Sequence, residues 1–148
     1  MSYHDDLGMK SLIGVHVKNA LINEKHDYVY LDTDQGPFHL TWEGDCCSEC
    51  FLAHIAGVDA LIGHIITDVE EMSWIGRTEK QEDNFAVKET MGTKITTDKG
   101  YVTFESRLEH NGYYGGRIMV SRELALNQYH DNRYESGVVL VMKLLLDF

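Results

Sequence analysis

A chain of 148 residues, 43% hydrophobic and 25% charged, has the size and composition of one globular domain and can bury a core without a metal or disulfide framework. Its formal charge of -11, from 13 basic and 24 acidic residues, argues against a nucleic-acid-binding surface, which needs Lys and Arg to neutralise phosphates. No apolar stretch reaches the ~20 residues of a membrane span, no signal-peptide pattern opens the chain, and three clustered cysteines are no disulfide framework, so a cytoplasmic protein touching neither membrane nor nucleic acid is expected.

In chain order, residues 1–10 read as a flexible N-terminus of a single domain spanning 1–148. Leu12 to Ile22 alternates with period two, placing Ile13, Val15 and Val17 on one face, and reads as a first strand. Tyr28 to Trp42 reads as a hairpin turning at Asp34-Gln35-Gly36-Pro37, with Phe38, Leu40 and Trp42 on the inner face of its return strand. The next segment, SECFLAHIAG, changes period. Phe51, Ile55 and Val58 fall near helical spacing, Ser48 stands as an N-cap, and Gly57 as a stop, so a short helix is expected, with a further turn over Val58 to Ile62. Strand patterning returns from His64 to Ile75, in NFAVKETMGTKITTDKG, in YVTFESRLEH with a turn at Asp98-Lys99-Gly100, and in GYYGGRIMVSRE. Glu123 to Tyr129 reads as a helical turn and HDNRYESG as a loop. The apolar run Val138 to Leu146 reads as a buried strand, either completing the home core or adding to a neighbouring chain as a homo-oligomer contact. The fold class expected from these elements is α+β: a mainly antiparallel, twisted sheet of about six to eight strands with one or two short helices on one face.

The densest chemistry lies in GDCCSECFLAH, Gly44 to His54. On a helix, Cys47, Cys50 and His54 share a face and have zinc-ligand types, with His39 as a fourth candidate. The spacing lacks the second ligand pair of a zinc module, and buried apolar cysteines at a strand-to-helix junction explain the same residues. A catalytic thiol is disfavoured by the flanking Asp45 and Glu49, which raise a thiol pKa. In HNGYYGG, Asn111-Gly112 is a hairpin signal, and Tyr113-Tyr114 beside two glycines is either ordinary strand alternation or a flat ligand surface. Asp68 and Glu70 share a strand face and read as solvated carboxylates. Phosphate-loop, dinucleotide, zincin and esterase motifs do not occur.

Taken together, GDCCSECFLAHIAGVDALIGHIITDVEE and VTFESRLEHNGYYGG resemble a family of small uncharacterised domains carried by tailed bacteriophages and some bacterial genomes. The likeness covers roughly Leu12 to Ser121, and Cys50 and His54 depart from its pattern. It implies a phage or mobile-element origin and no assigned activity. Asp45, Cys46, Cys47, Asn111, Gly112, Tyr113 and Tyr114 match the motif and are the candidate binding positions. The resulting expectation is a non-enzymatic accessory protein, without cofactor or metal, that binds a host protein or small-molecule ligand and blunts a defence system. One alternative is a ligand-sequestering protein or small enzyme with a pocket near Cys46, Cys47 and NGYY. Another is an acidic nucleic-acid mimic, against which stands the even spread of the acids along the chain.

Overall fold

The computed structural model describes residues 6–44, 48–80, 86–110, 116–122 and 142–148, with the main chain alone described at 73–80, 86–87, 110 and 147. Among these residues nine strands form two antiparallel sheets. The first carries β1 (Val17–Asn23), β2 (Tyr28–Thr33), β3 (Gly36–Gly44), β8 (Gly116–Ser121) and β9 (Met142–Leu144), in the order β8-β3-β2-β1-β9. The second carries β4 (Glu49–Ala56), β5 (Ile66–Lys80), β6 (Ala86–Thr97) and β7 (Tyr101–His110), in the order β4-β7-β6-β5. The described helical segments are single 3₁₀ turns at Met9–Leu12, Val58–Ala60 and Leu145–Asp147.

This corrects the α+β expectation: the protein is nearly all β, and no helix covers a sheet face among the described residues. The segment read as a helix, Ser48 to Gly57, is strand β4. A bulge misled the period. Leu52 pairs with Ser106 and His54 with Glu105, so Ala53 has no partner and the inward phase slips by one residue. Cys50 and Leu52 point into the core before the bulge, and Ile55 and Val58 pack against it afterwards, while Phe51, on which the helical spacing also rested, is not part of the core cluster. Similar bulges at Lys18 in β1 and Thr67 in β5 shift their phases, which is why Val17 and Ala20, then Ile66 and Val69, are buried while Ile65 is exposed.

The hairpins formed as expected. β2 and β3 pair from Tyr28↔Thr41 to Thr33↔Gly36 around Asp34-Gln35, with Gly36 at φ 94°, a left-handed angle that a side chain resists. Phe38, Leu40 and Trp42 are buried on the inner face. β6 and β7 turn at Asp98-Lys99-Gly100, closing at Thr96↔Tyr101. The described part of the C-terminal apolar run pairs with β1 of its own chain, and Leu145 is buried in the core.

Each sheet has one apolar face, and burying both against each other produces a single core cluster that runs from Val17, Val29 and Leu40 to Ile66, Val102 and Phe104. Each such aliphatic or aromatic side chain contributes roughly 1.5–3 kcal/mol by leaving water. One polar link crosses this core: Trp42 Nε1 donates to Ser106 Oγ at 2.8 Å, with the indole tilted against Phe104 at 6.1 Å. Residues 6–12 strap the two sheets together. Leu7 N–H donates to the Val120 carbonyl at 2.8 Å, Val120 N–H donates to Asp6 Oδ1 at 2.9 Å, and Lys10 Nζ reaches the Val69 carbonyl at 2.8 Å.

The strand assignment of β4 has a direct test. Leu52 is fully buried and His54 exposed, so Leu52→Ala should cost about 2–5 kcal/mol and His54→Ala within about 0.5 kcal/mol in urea unfolding, whereas a helix burying Phe51 and Ile55 would reverse the importance of these positions.

Candidate functional site

The two sheets do not cover each other completely. β8 is the edge of the first sheet, and beneath it lie the inner faces of β6 and β5. Between them is a cavity of about 280 Å³, bounded by Ile118 of β8, Met91 and Thr93 of β6, Ser106 of β7, Met72 of β5 and Met9 of the strap. The sheet opens here for a register reason. Met72 pairs with Gly92 and Gly76 with Thr90, so three residues of β5 stand opposite Met91 alone. The ladder on that side of Met91 is bulged, while on its other side Met91 pairs with Ser106.

The cavity combines methionine and isoleucine walls with polar groups from Asp6, Glu71, Thr93, Ser106 and Arg117, a mixture that suits a small polar molecule with an aliphatic part. Thr93 is 4% exposed and its hydroxyl makes no hydrogen bond among the described residues. Ser106 is 2% exposed; its oxygen accepts the Trp42 N–H, and its own O–H donor has no acceptor among the described residues. Glu71 pairs directly across from Thr93, so the two side chains stand on the same face, with Cβ atoms about 5 Å apart. Asp6 closes the same rim, its Oδ1 held by the N–H groups of Gly8 and Val120, each at 2.9 Å.

The positions singled out from sequence fall differently. Asp45, Cys46, Cys47, Asn111, Gly112, Tyr113 and Tyr114 lie outside the described residues. Their flanks are neighbours, however: Gly44 pairs with Gly116 across β3 and β8, and Glu49 pairs with Glu109 across β4 and β7. Gly116 also lines the cavity. It presses so close to the second sheet that a Cβ there would stand 2.8 Å from Leu108 Cδ1 and 3.0 Å from Cys50 Sγ. A side chain there would force Leu108 and Cys50 to shift, so glycine suits the close start of β8.

Cys50 and His54 do not converge as the helical spacing implied, because on the strand Cys50 is buried and His54 exposed. Burial pushes the Cys50 thiol up to about 12, against a lowering by the Arg117 main-chain hydrogen bond and with a smaller rise from Asp27. His39 is also turned away from them, sharing a 2.6 Å hydrogen bond through Nδ1 with the Tyr28 hydroxyl and lying between the rings of Tyr28 and Tyr30. No cluster of three or more His, Cys, Asp or Glu with metal-site geometry occurs among the described residues. Asp68 and Glu70 are exposed on β5, with Glu70 paired to Lys94.

The cavity residues were missed because no motif marks them. Two faint signals exist: Ser106 is the one polar residue in the inward series Val102, Phe104, Ser106, Leu108, and Gly92 interrupts the middle of a strand.

Two chemical outcomes follow. In native protein at pH 8, iodoacetamide should leave Cys50 unlabelled and modify it on denaturation, read by peptide mass spectrometry; native labelling would contradict its burial and raised thiol pKa. Burial lowers the pKa of His39, and desolvation with Lys143 lowers that of His26, so the unfolded chain binds protons that the folded one refuses. Folding stability should therefore be complete above about pH 6.5 and decline as pH falls below it, with a shallower decline in His39→Gln, measured by urea midpoints from pH 7.5 to 5.

Comparison with known proteins agrees with the sequence resemblance at its coarser level, an uncharacterised domain family. No curated protein and no solved structure matches the chain. A family model described as a domain of unknown function, DUF7448, matches residues 7–120, a span that runs from the strap through β8 and holds the whole cavity except Asp6. The chain belongs to the DUF7448 family.

Proposed function

We propose that this protein is a non-enzymatic binding protein that holds a small molecule in the cavity between its sheets. The observation that carries the reading is the pair of hydroxyls of the buried residues Thr93 and Ser106, facing a cavity of about 280 Å³ walled by methionine and isoleucine and rimmed by Asp6, Glu71 and Arg117. A hydroxyl that opens onto a cavity without a protein partner is available to the polar group of a bound molecule, and Thr93 and the Ser106 donor are such groups. Three methionines around the cavity supply flexible, polarisable walls that adapt to a ligand's shape.

The sheet pairing supports the expectation that the DCC and NGYY segments act beside one pocket, since both spring from the Gly44↔Gly116 pair at its border. Asp45, Cys46, Cys47, Asn111, Gly112, Tyr113 and Tyr114 accordingly stay the proposed binding positions, on the strength of their described flanks Gly44 and Gly116. Sequestration suits this site better than turnover, because the Ser106 oxygen already accepts the Trp42 N–H and is set to donate a hydrogen bond rather than to attack. A phage-type accessory protein working this way would blunt a host response by withholding a small molecule.

Native mass spectrometry of freshly purified protein should show mass beyond the bare chain, and Ile118→Trp, which fills the cavity, should abolish it while keeping the fold by circular dichroism. A bare mass, together with no stabilising compound in a thermal-shift library, would remove the proposal.

A further inference from the structure

The cavity also carries information about the kind of molecule it takes, and this step rests on the binding reading above. Two carboxylates line it, Asp6 and Glu71. Asp6 spends Oδ1 on two main-chain N–H groups, leaving Oδ2, and Glu71 stands beside the Thr93 hydroxyl on the inner face of the second sheet. The nearby cations are directed elsewhere. Arg117 borders the cavity on β8, but it alternates with the inward Ile118 and Val120, and its Nη2 lies 3.7 Å from Met119 Sδ, the next residue on its own outward face. Lys10 Nζ donates to the Val69 carbonyl, and Lys94 lies over the Tyr101 ring at 4.7 Å.

The polar lining thus combines two exposed carboxylates, the Thr93 hydroxyl and the Ser106 donor, with methionine and isoleucine walls. We infer that the ligand is a small amphiphilic amine, its ammonium held at Glu71 and Asp6, its aliphatic body against Met9, Met72, Met91 and Ile118, and a hydroxyl or carbonyl oxygen at its far end accepting from Ser106. A charge-assisted contact to the ammonium is roughly twice as strong as a neutral one, and the chain's formal charge of -11 attracts cations from solution. An anionic ligand of the same shape meets two like charges at the rim.

Three probes of equal length separate these chemistries: 5-amino-1-pentanol, 1,5-pentanediol and 5-hydroxypentanoate, each titrated calorimetrically into the whole protein. The amino alcohol should bind about ten-fold more tightly than the diol, a ratio worth about 1.4 kcal/mol, and the hydroxy acid most weakly. Glu71→Gln should cut most of the amine's ten-fold advantage over the diol, leaving the part that Asp6 supplies, while Thr93→Val should weaken both. Equal or tighter binding of the diol or the hydroxy acid overturns the inference, as does an amine affinity that Glu71→Gln does not move. If the neutral or anionic probe binds and Ile118→Trp blocks it, the cavity reading stands and only the assigned charge falls. If none of the three binds, the inference falls, and the native mass spectrum alone decides the cavity reading.

Discussion

The structure depends on how closely two apolar sheet faces can approach where β8 begins. Gly116 lies so close to Cys50 and Leu108 of the opposite sheet that a Cβ would require those side chains to shift. From that point β8 runs out along β3, pairing Trp42 with Ile118 and Leu40 with Val120. Trp42 turns its ring inward, where its N–H is committed to Ser106. An indole N–H in an apolar core needs such an acceptor, and Ser106 supplies it from the facing sheet. The hydrogen bond thereby fixes not only the separation of the sheets but their lateral register.

The cavity is a by-product of that register. Once Trp42 is seated over Ser106 and Phe104, its β8 partner Ile118 borders the cavity together with Met91 and Thr93 of β6. The ladder of the second sheet is irregular at this place, with three residues of β5 opposite Met91 alone. Close packing would demand a large side chain in this space, but the sequence places Thr93, Ser106 and adaptable methionines there instead. The strap formed by residues 6–12 completes the enclosure by hydrogen-bonding to β8 on one side and β5 on the other, with Met9 and Leu12 buried beneath it. Two polar rim groups, Asp6 and Glu71, come from distant parts of the chain and border one cavity because the strap bridges both sheet edges.

The cysteine-rich segment shows how the same residues change meaning with secondary structure. On a helix, Cys50 and His54 would lie one above the other and invite a metal. On a bulged strand they point to opposite sides, and the thiol becomes a small core residue wedged against Gly116. Its chemistry follows from that burial, which suppresses the thiolate that a nucleophile or metal ligand requires.

Much of the architecture was legible in the chain itself. Period-two patterning located the strands, the Asp34-Gln35-Gly36 and Asp98-Lys99-Gly100 turns set two hairpins, and Phe38, Leu40 and Trp42 were placed on the inner face because alternation between such turns leaves little freedom. Where bulges intervene, at Lys18, Ala53 and Thr67, local periodicity cannot reveal the phase, since the extra residue exists only relative to a partner strand. That is why β4 read as a helix and the fold as α+β. The cavity was beyond reach for the same reason: Thr93, Ser106, Met72 and Ile118 lie on four strands and share no spacing in the sequence. The sequence by itself determined most of the strands, two hairpin turns and the acidic charge. Only the packing of one sheet on the other, limited by contact at Gly116 and registered by Trp42 and Ser106, decided that these scattered side chains would face a common space.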